Sequence, residues 1–301
     1  MTFDYSNAFI VIQIFEKSLT ARQPLLNEAN RTQSINIGGD YLLYILRLCK
    51  AIVMPKIAVQ NILRTSPLFS GLTTEEKGEI SSTCRTVRYS SGQMLFSRND
   101  IIRQFYIVCD GVVQIFRYSP DGRETTAEVF IAGDVIGETE ILRMSSMHTY
   151  SARTIKNSLL MEFPASWLTD TVKRHGGLAL NLLGVISRRS AYAALEYEQK
   201  KTLSAAQQVA CFLERLCIVH NFDPRGFKLP YSKTLMASRL GIELESFSRA
   251  LATLREHGLS VKGRHVSFEN LQQLASFVCA DCSLNDACQE QEALRQKLAV
   301  A

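Results

Sequence analysis

The spacing of apolar residues changes along this chain, and each change predicts a different kind of element. Between Pro67 and Pro164 the runs are short and β-prone: 85–89, 104–108, 112–116, 126–130 and 158–163. Turn signals separate them at Ser91-Gly92, Asp110-Gly111, Pro120-Asp121-Gly122, Gly133-Asp134 and Lys156-Asn157. Strands at such even intervals predict a closed or rolled antiparallel sheet. A roll encloses space for an effector unless apolar side chains fill it.

From Ala165 to about Lys201 the spacing turns helical. Leu178, Leu182, Val185 and Tyr192 approximate a heptad seam, interrupted by Arg189. A stripe on so long a helix needs a cover. A second copy of the chain is the simplest one, and a two-fold dimer suits a palindromic DNA site. The chain's own core is the alternative.

Between Ser232 and Leu259 two short helical runs meet at Gly241. Leu235, Leu240, Phe247, Leu251 and Leu254 share one face, which predicts a helix-turn-helix. Glu243, Glu245, Ser246, Ser248 and Arg249 then stand at the exposed start of the second helix, where such a motif reads bases. An ordinary helical hairpin has the same periodicity, so the context decides. Ser260 to Phe268 follows as two β-prone runs around Gly263-Arg264, a wing with a basic tip. From Ser232 to His265 there are six basic residues against three acidic ones, a local balance of +3 beside +5 for all 301 residues. A local excess of cations on a helix pair and wing favours phosphate neutralisation, and hence DNA.

The chain therefore reads as α+β in five parts. These are an extension over 1–53, a roll over 54–170, a dimerisation helix over 171–201, a winged helix-turn-helix over 202–277 and a cysteine tail over 278–301. Met54-Pro55-Lys56 resembles the beginning of a domain, so 1–53 is either upstream of the true start or a loosely attached arm. Apolar content of 46% and charged content of 21% are ordinary for a globular chain. The stretch from Tyr41 to Met54 is too short to span a bilayer and carries Arg47 and Lys50, and no basic signal opens the chain. A cytoplasmic setting without membrane contact follows. There, eight cysteines serve metals or redox chemistry more often than disulfides. No nucleophile–base pair, phosphate loop or His-rich site appears, which argues against an enzyme.

A roll, a long helix and a winged helix-turn-helix in this order resemble the cAMP receptor protein / fumarate-nitrate regulator (CRP/FNR) family of bacterial transcription factors. The resemblance covers roughly Ile57 to Phe277 and implies that fold in the cyclic-nucleotide-binding form. Family members carry a Gly-Glu pair in the roll's phosphate cassette, where this chain has Ile136-Gly137-Glu138. Nucleotide binders then show Arg-Ser-Ala, but here the run is Tyr150-Ser151-Ala152. A phosphate buried without a cation is costly to bind, so the departure argues against cyclic AMP. Gly137, Glu138 and Ser151 remain the effector-pocket candidates, and Arg153 or Arg143 can substitute for the missing cation if the register slips.

The oxygen and nitric-oxide branch of the family has Glu-x-x-Ser-Arg at its recognition helix, and Glu245-Ser246-Phe247-Ser248-Arg249 matches it. A carboxylate accepts from cytosine N4, and a guanidinium grips guanine O6 and N7. The resemblance implies a homodimer on double-stranded DNA with TTGAT-like inverted half-sites, touching RNA polymerase if it activates. Lys233, Arg239, Lys262 and Arg264 are expected on phosphates.

The tail suggests what is sensed. Cys279, Cys282 and Cys288 form a Cys-x2-Cys-x5-Cys run whose thiolates can converge on one soft metal centre. Some members of the family hold a [4Fe-4S] cluster with a similar C-terminal triplet and a carboxylate, which implies a sensor of oxygen, nitric oxide or redox state. The fourth-ligand candidates are Asp286, Asp281, Asp170 and His175. The alternatives are zinc or a thiol switch in the tail, with haem-bound gas or a small effector sensed in the roll. Cys49 stands alone, while Cys84, Cys109, Cys211 and Cys217 read as small buried hydrophobes.

Overall fold

The computed structural model describes residues 55–279 together with Cys282, Ala293, Gln296 and Lys297. The chain divides into two units, Met1–Asn61 and Ile62–Ala301. Of the first, only 55–61 is described, and it is helical. The readings made on 1–53, Cys49, Asp281, Asp286 and Cys288 lie outside the described residues.

The second unit opens on 62–65, which are helical, and continues through a 3-10 turn, Pro67–Phe69, to helix α1, Thr74–Thr83, started by a Thr73/Glu76 capping box. Six strands follow: β1 Arg85–Tyr89, β2 Met94–Phe96, β3 Gln104–Tyr118, β4 Glu124–Ile131, β5 Val135–Ile136 and β6 Ser151–Pro164. They form one antiparallel sheet in the order β1-β6-β3-β4, with β2 also on β6 and β5 also on β3. The predicted rolled sheet is therefore present, but two expected turns are not. Strand β3 runs straight through Asp110-Gly111, and β6 through Lys156-Asn157. The register slips there instead: Asp110 faces Leu159, whereas Val112 faces Lys156. Gly111, at φ +112°, is required, because a Cβ would lie 2.0 Å from Ser158 Oγ. Ser158 Oγ accepts from the Val112 amide and donates to the Lys156 carbonyl, which closes the bulge.

Alternation along these strands separates two faces. Phe96, Tyr106, Val108, Val113, Ile115, Phe130, Ile136, Ala152 and Leu160 pack together inside. Val112, Val129 and Ile131 instead join the core of the C-terminal domain. A short helix, α2 (Glu138–Leu142), sits between β5 and β6.

Helix α3, Ala165–Arg174, leads into the long helix α4, Gly176–Thr202. Leu178 and Leu182 are buried within the chain, and Asn181 Nδ2 donates to the carbonyls of Leu68 and Ser70. Tyr192 lies under the Arg215 guanidinium, 4.7 Å from ring centroid to Cζ. The predicted seam is thus corrected: Leu178 and Leu182 face the chain's own core. A different heptad row, Leu180, Leu183, Ser187, Ser190, Ala194 and Tyr197, is exposed. Arg189 does not break this row, because it turns inward to Glu138.

The C-terminal domain comprises α5 (Ala205–Val219), β7 (Phe227–Lys228), α6 (Lys233–Leu240), α7 (Leu244–Glu256), β8 (Leu259–Lys262), β9 (His265–Phe268) and α8 (Leu271–Val278). Strand β7 adds a third strand beside the predicted wing hairpin. No helix among the described residues is long and apolar enough to cross a membrane.

Candidate nucleic-acid interface

Local chemistry shapes the helix pair. Ser232 Oγ caps α6 by accepting from the Leu235 amide at 3.2 Å. Gly241, at φ +69°, ends it in the left-handed conformation, and the Ile242 amide closes back on the Ala237 carbonyl at 2.9 Å. Beneath the turn, Leu235, Met236, Ala237 and Leu240 of α6 pack with Phe247, Ala250, Leu251 and Leu254 of α7. Burying one face in this way fixes which side of α7 meets solvent. Burial also holds Cys217 of the supporting helix α5 as an inert thiol, its pKa pushed up to about 11.

The exposed side carries the predicted reading residues. Glu245 is 91% exposed and Arg249 73%, and their closest approach is only 4.0 Å. Arg249 Nη2 donates to Ser246 Oγ at 2.9 Å, and Ser248 Oγ donates to the Leu244 carbonyl at 2.9 Å. So loose a pair of charges in full solvent contributes little to stability and remains free to regroup around a base pair. Ser246 is half-buried, whereas Glu243 and Ser248 are exposed.

The four expected phosphate contacts have separate surroundings. Lys262 and Arg264 are exposed at the wing, where the Arg264 Nη2 donates to the Leu229 carbonyl at 2.5 Å. Lys233 is half-buried at the start of α6. Arg239 is only 11% exposed and held by two carboxylates. Its Nε and Nη2 meet Glu128 at 2.8 and 3.0 Å, and its Nη1 meets Glu196 at 3.0 Å. In this conformation Arg239 faces protein, not solvent.

In the roll, Gly137 precedes α2 at φ +90°, and Glu138 is wholly buried. Its Oε1 takes Arg189 Nη1 at 2.5 Å and Thr139 Oγ1 at 3.1 Å, while Oε2 has no partner. Burial pushes the Glu138 carboxyl above the usual range, and the Arg189 guanidinium pulls the other way. Ser151 Oγ accepts from the Arg98 amide. Arg153 points away from the interior that Ala152 lines, and its guanidinium is engaged by Gln114 at 3.0 Å and Glu124 at 2.5 Å. It is therefore not placed to replace the missing cassette arginine.

Cys279 is buried at the end of α8, and the Cys282 amide donates to its carbonyl at 3.2 Å. Both thiols pack on the helix-turn-helix core. Thiols are the ligand type that soft metals select. Asp170 and His175 belong elsewhere. Asp170 is exposed on α3, and His175 Nδ1 lies 3.4 Å from Glu76 Oε1 beside Trp167 and Thr171. Among the described residues, no three His, Cys, Asp or Glu side chains group into a metal-binding set.

Sequence reasoning missed Glu128 and Glu196, the partners of Arg239. Neither belongs to a motif, and no local signal marks either one.

Comparison with known proteins agrees with this layout. Residues 86–175 match a cyclic nucleotide-binding domain, and 207–277 match a Crp-like helix-turn-helix domain. The nitrogen fixation regulation protein FixK of Bradyrhizobium diazoefficiens is 29% identical over 200 residues, 65% of this chain and 82% of FixK. The fumarate and nitrate reduction regulatory protein of Escherichia coli K12 is 26% identical over 193 residues, 61% of this chain and 74% of that protein. A solved structure from Ruegeria pomeroyi, described as a cyclic nucleotide binding protein, is 30% identical with a TM-score of 0.53. That match covers 73% of this chain and 97% of the other.

Proposed function

This chain belongs to the CRP/FNR family of DNA-binding transcription regulators, and on that premise we propose that it is a homodimeric sensor of oxygen, nitric oxide or redox state. The observation that carries the DNA side is the solvent-facing cluster Glu245, Ser248 and Arg249 on a helix whose other face is locked into the core. Glu245 would accept from cytosine, Arg249 would grip guanine, and Lys233, Lys262 and Arg264 would neutralise phosphates around TTGAT-like inverted half-sites. The exposed heptad row from Leu180 to Tyr197 supports pairing with a second copy. As an activator, the dimer would also touch RNA polymerase.

On the sensing side, Cys279, Cys282 and Cys288 would hold a [4Fe-4S] cluster, with Asp286 or Asp281 as the fourth ligand, since His175 is taken by Glu76 and Asp170 lies exposed on α3. Such a cluster supplies a redox- and oxygen-labile centre. The chain's own part is to tie the tail to the DNA-binding domain. Gln207 Nε2 of α5 holds the last turn before the tail through the Phe277 carbonyl at 2.9 Å, and Lys297 Nζ of the tail donates to the Phe222 carbonyl at 3.0 Å. Ordering or releasing the tail would thus bias the domain that reads DNA. Anaerobic iron and sulfide analysis with a visible spectrum tests this. The expected result is absorbance near ~400 nm that air bleaches; anaerobic protein without iron or sulfide would overturn the cluster.

The buried, unpartnered Oε2 of Glu138 favours a second reading. Here the roll takes a small effector or haem-bound gas, and the tail thiols bind zinc or act as a switch. A response that survives changing Cys279, Cys282 and Cys288 to Ser would select it.

A further inference from the structure

One guanidinium joins three elements that are far apart in sequence. Arg239, on the first helix of the helix-turn-helix, meets both oxygens of Glu128 on β4 of the roll. It also meets both oxygens of Glu196 on the long helix, at 3.0 and 3.4 Å. Glu196 in turn takes Arg215 Nη1 of α5 at 2.8 Å. Two arginines and two glutamates therefore balance in charge, at 9 to 34% side-chain exposure. Beside them, Thr126 Oγ1 and Ser238 Oγ lie 2.7 Å apart, and Val112, Val129 and Ile131 pack into the core of the DNA-binding domain. Apolar packing sets how close the domain lies to the roll. A fork held at both ends sets how it is turned, because charge-assisted bidentate bonds tolerate little rotation. With the fork closed, Glu245, Ser248 and Arg249 are all exposed.

We propose that Arg239 is a positioning residue and not a phosphate contact: with Glu128 and Glu196 it clasps the DNA-binding domain in the orientation that presents α7 to the groove. The clasp lies between roll, long helix and reading domain, so whatever the sensor does must act with it or against it. The inference rests on the DNA-binding assignment, and one arm of the test needs no DNA.

The variants are Glu128→Gln, Glu196→Gln, Arg239→Gln and Arg239→Lys in the full chain, each checked for native circular dichroism. Glu128 is a third exposed and its replacement isosteric, so that variant keeps the test available if another fails to fold. The clasp predicts that each weakens operator binding about tenfold, within the usual range of coupling between sites. The slope of affinity against salt and the base preference should stay unchanged. Glu128→Gln combined with Arg239→Gln should be no worse than Arg239→Gln alone, because the ion pair of Glu128 is with Arg239. Arg239→Lys should not rescue, since an ammonium cannot form the fork. Without DNA, amide exchange in β4 and α6 should quicken in Glu128→Gln and Glu196→Gln. A phosphate contact predicts the opposite pattern: Arg239→Gln lowers the salt slope by about one, Arg239→Lys binds as wild type, and the glutamate variants bind unchanged or tighter. That pattern, or exchange unaltered in both glutamate variants, overturns the clasp. Wild-type protein that prefers no operator, with exchange altered as expected, would indict the DNA site and leave the clasp standing.

Discussion

The two helices of the helix-turn-helix hold their arginines in opposite ways. Both helices bury one apolar face in the same core. On α6, Arg239 is 11% exposed between two carboxylates; on α7, Arg249 is 73% exposed and its nearest acid is 4.0 Å away. Counting charge along the chain treats the two as equal. A cation already paired in a sheltered site must lose that pair before meeting a phosphate, whereas an exposed one loses only water. Arg239 of the first helix therefore faces protein, whereas Arg249 of the second faces solvent.

The strongest way to break this contrast is to undercut the outward helix. Phe247 is fully buried beneath it, so Phe247→Ala should cost about 3–5 kcal/mol of stability. Urea unfolding followed by far-UV circular dichroism measures this; a loss below about 1 kcal/mol would mean that α7 is not anchored as described. Next comes Arg249→Ala. It should remove about 1–3 kcal/mol of discrimination between an operator and one altered at the contacted guanine, with stability nearly unchanged. Titrations on both duplexes check it, and an undiminished preference would take the reading role away from Arg249.

The smallest effect sharpens the comparison through pH. Burial pushes Asp134 of the roll from an ordinary 3.8 to about 7, against the pull of the Ile131 amide and Arg189. Between those values only the folded chain holds the proton, so this group's contribution is full below pH 3.8 and is lost as pH rises through 7. Asp134→Asn should therefore melt higher than wild type at pH 8 and by a smaller margin at pH 5. His220 of the DNA-binding domain has the reverse sign. Burial lowers it from 6.5 to about 4, and its contribution, present above 6.5, is lost as pH falls through 4. Melting curves at both pH values decide, and an Asp134→Asn margin that does not grow with pH counts against the assignment.

Much of the fold was legible because its signals are local. Strands β1 and β4, the helix pair around Gly241 and the wing all announce themselves by period and turn residues. The errors share a cause. Asp110-Gly111 has the composition of a turn, yet the freedom of Gly111 serves a bulge against Ser158, 47 positions along the chain. Strand β7 is two residues long and has no period to detect. On the long helix, periodicity points to Leu178 and Leu182 because it identifies an apolar stripe, not what covers it. Of the candidate site, Glu245, Ser248 and Arg249 stood out through their position at a helix start, whereas the carboxylates that hold Arg239 did not.

Period, capping and turn chemistry act over a few residues, so the chain alone dictated where its helix pair, its wing and strands β1 and β4 form, and which charged side chains stand at the start of the second short helix. Contacts across 111 and 43 positions decided what those side chains face: Arg239 found Glu128 and Glu196 only once roll, long helix and reading domain had packed together. Such a pairing depends on three-dimensional proximity and sheltered charge, and neither is written in the spacing of residues.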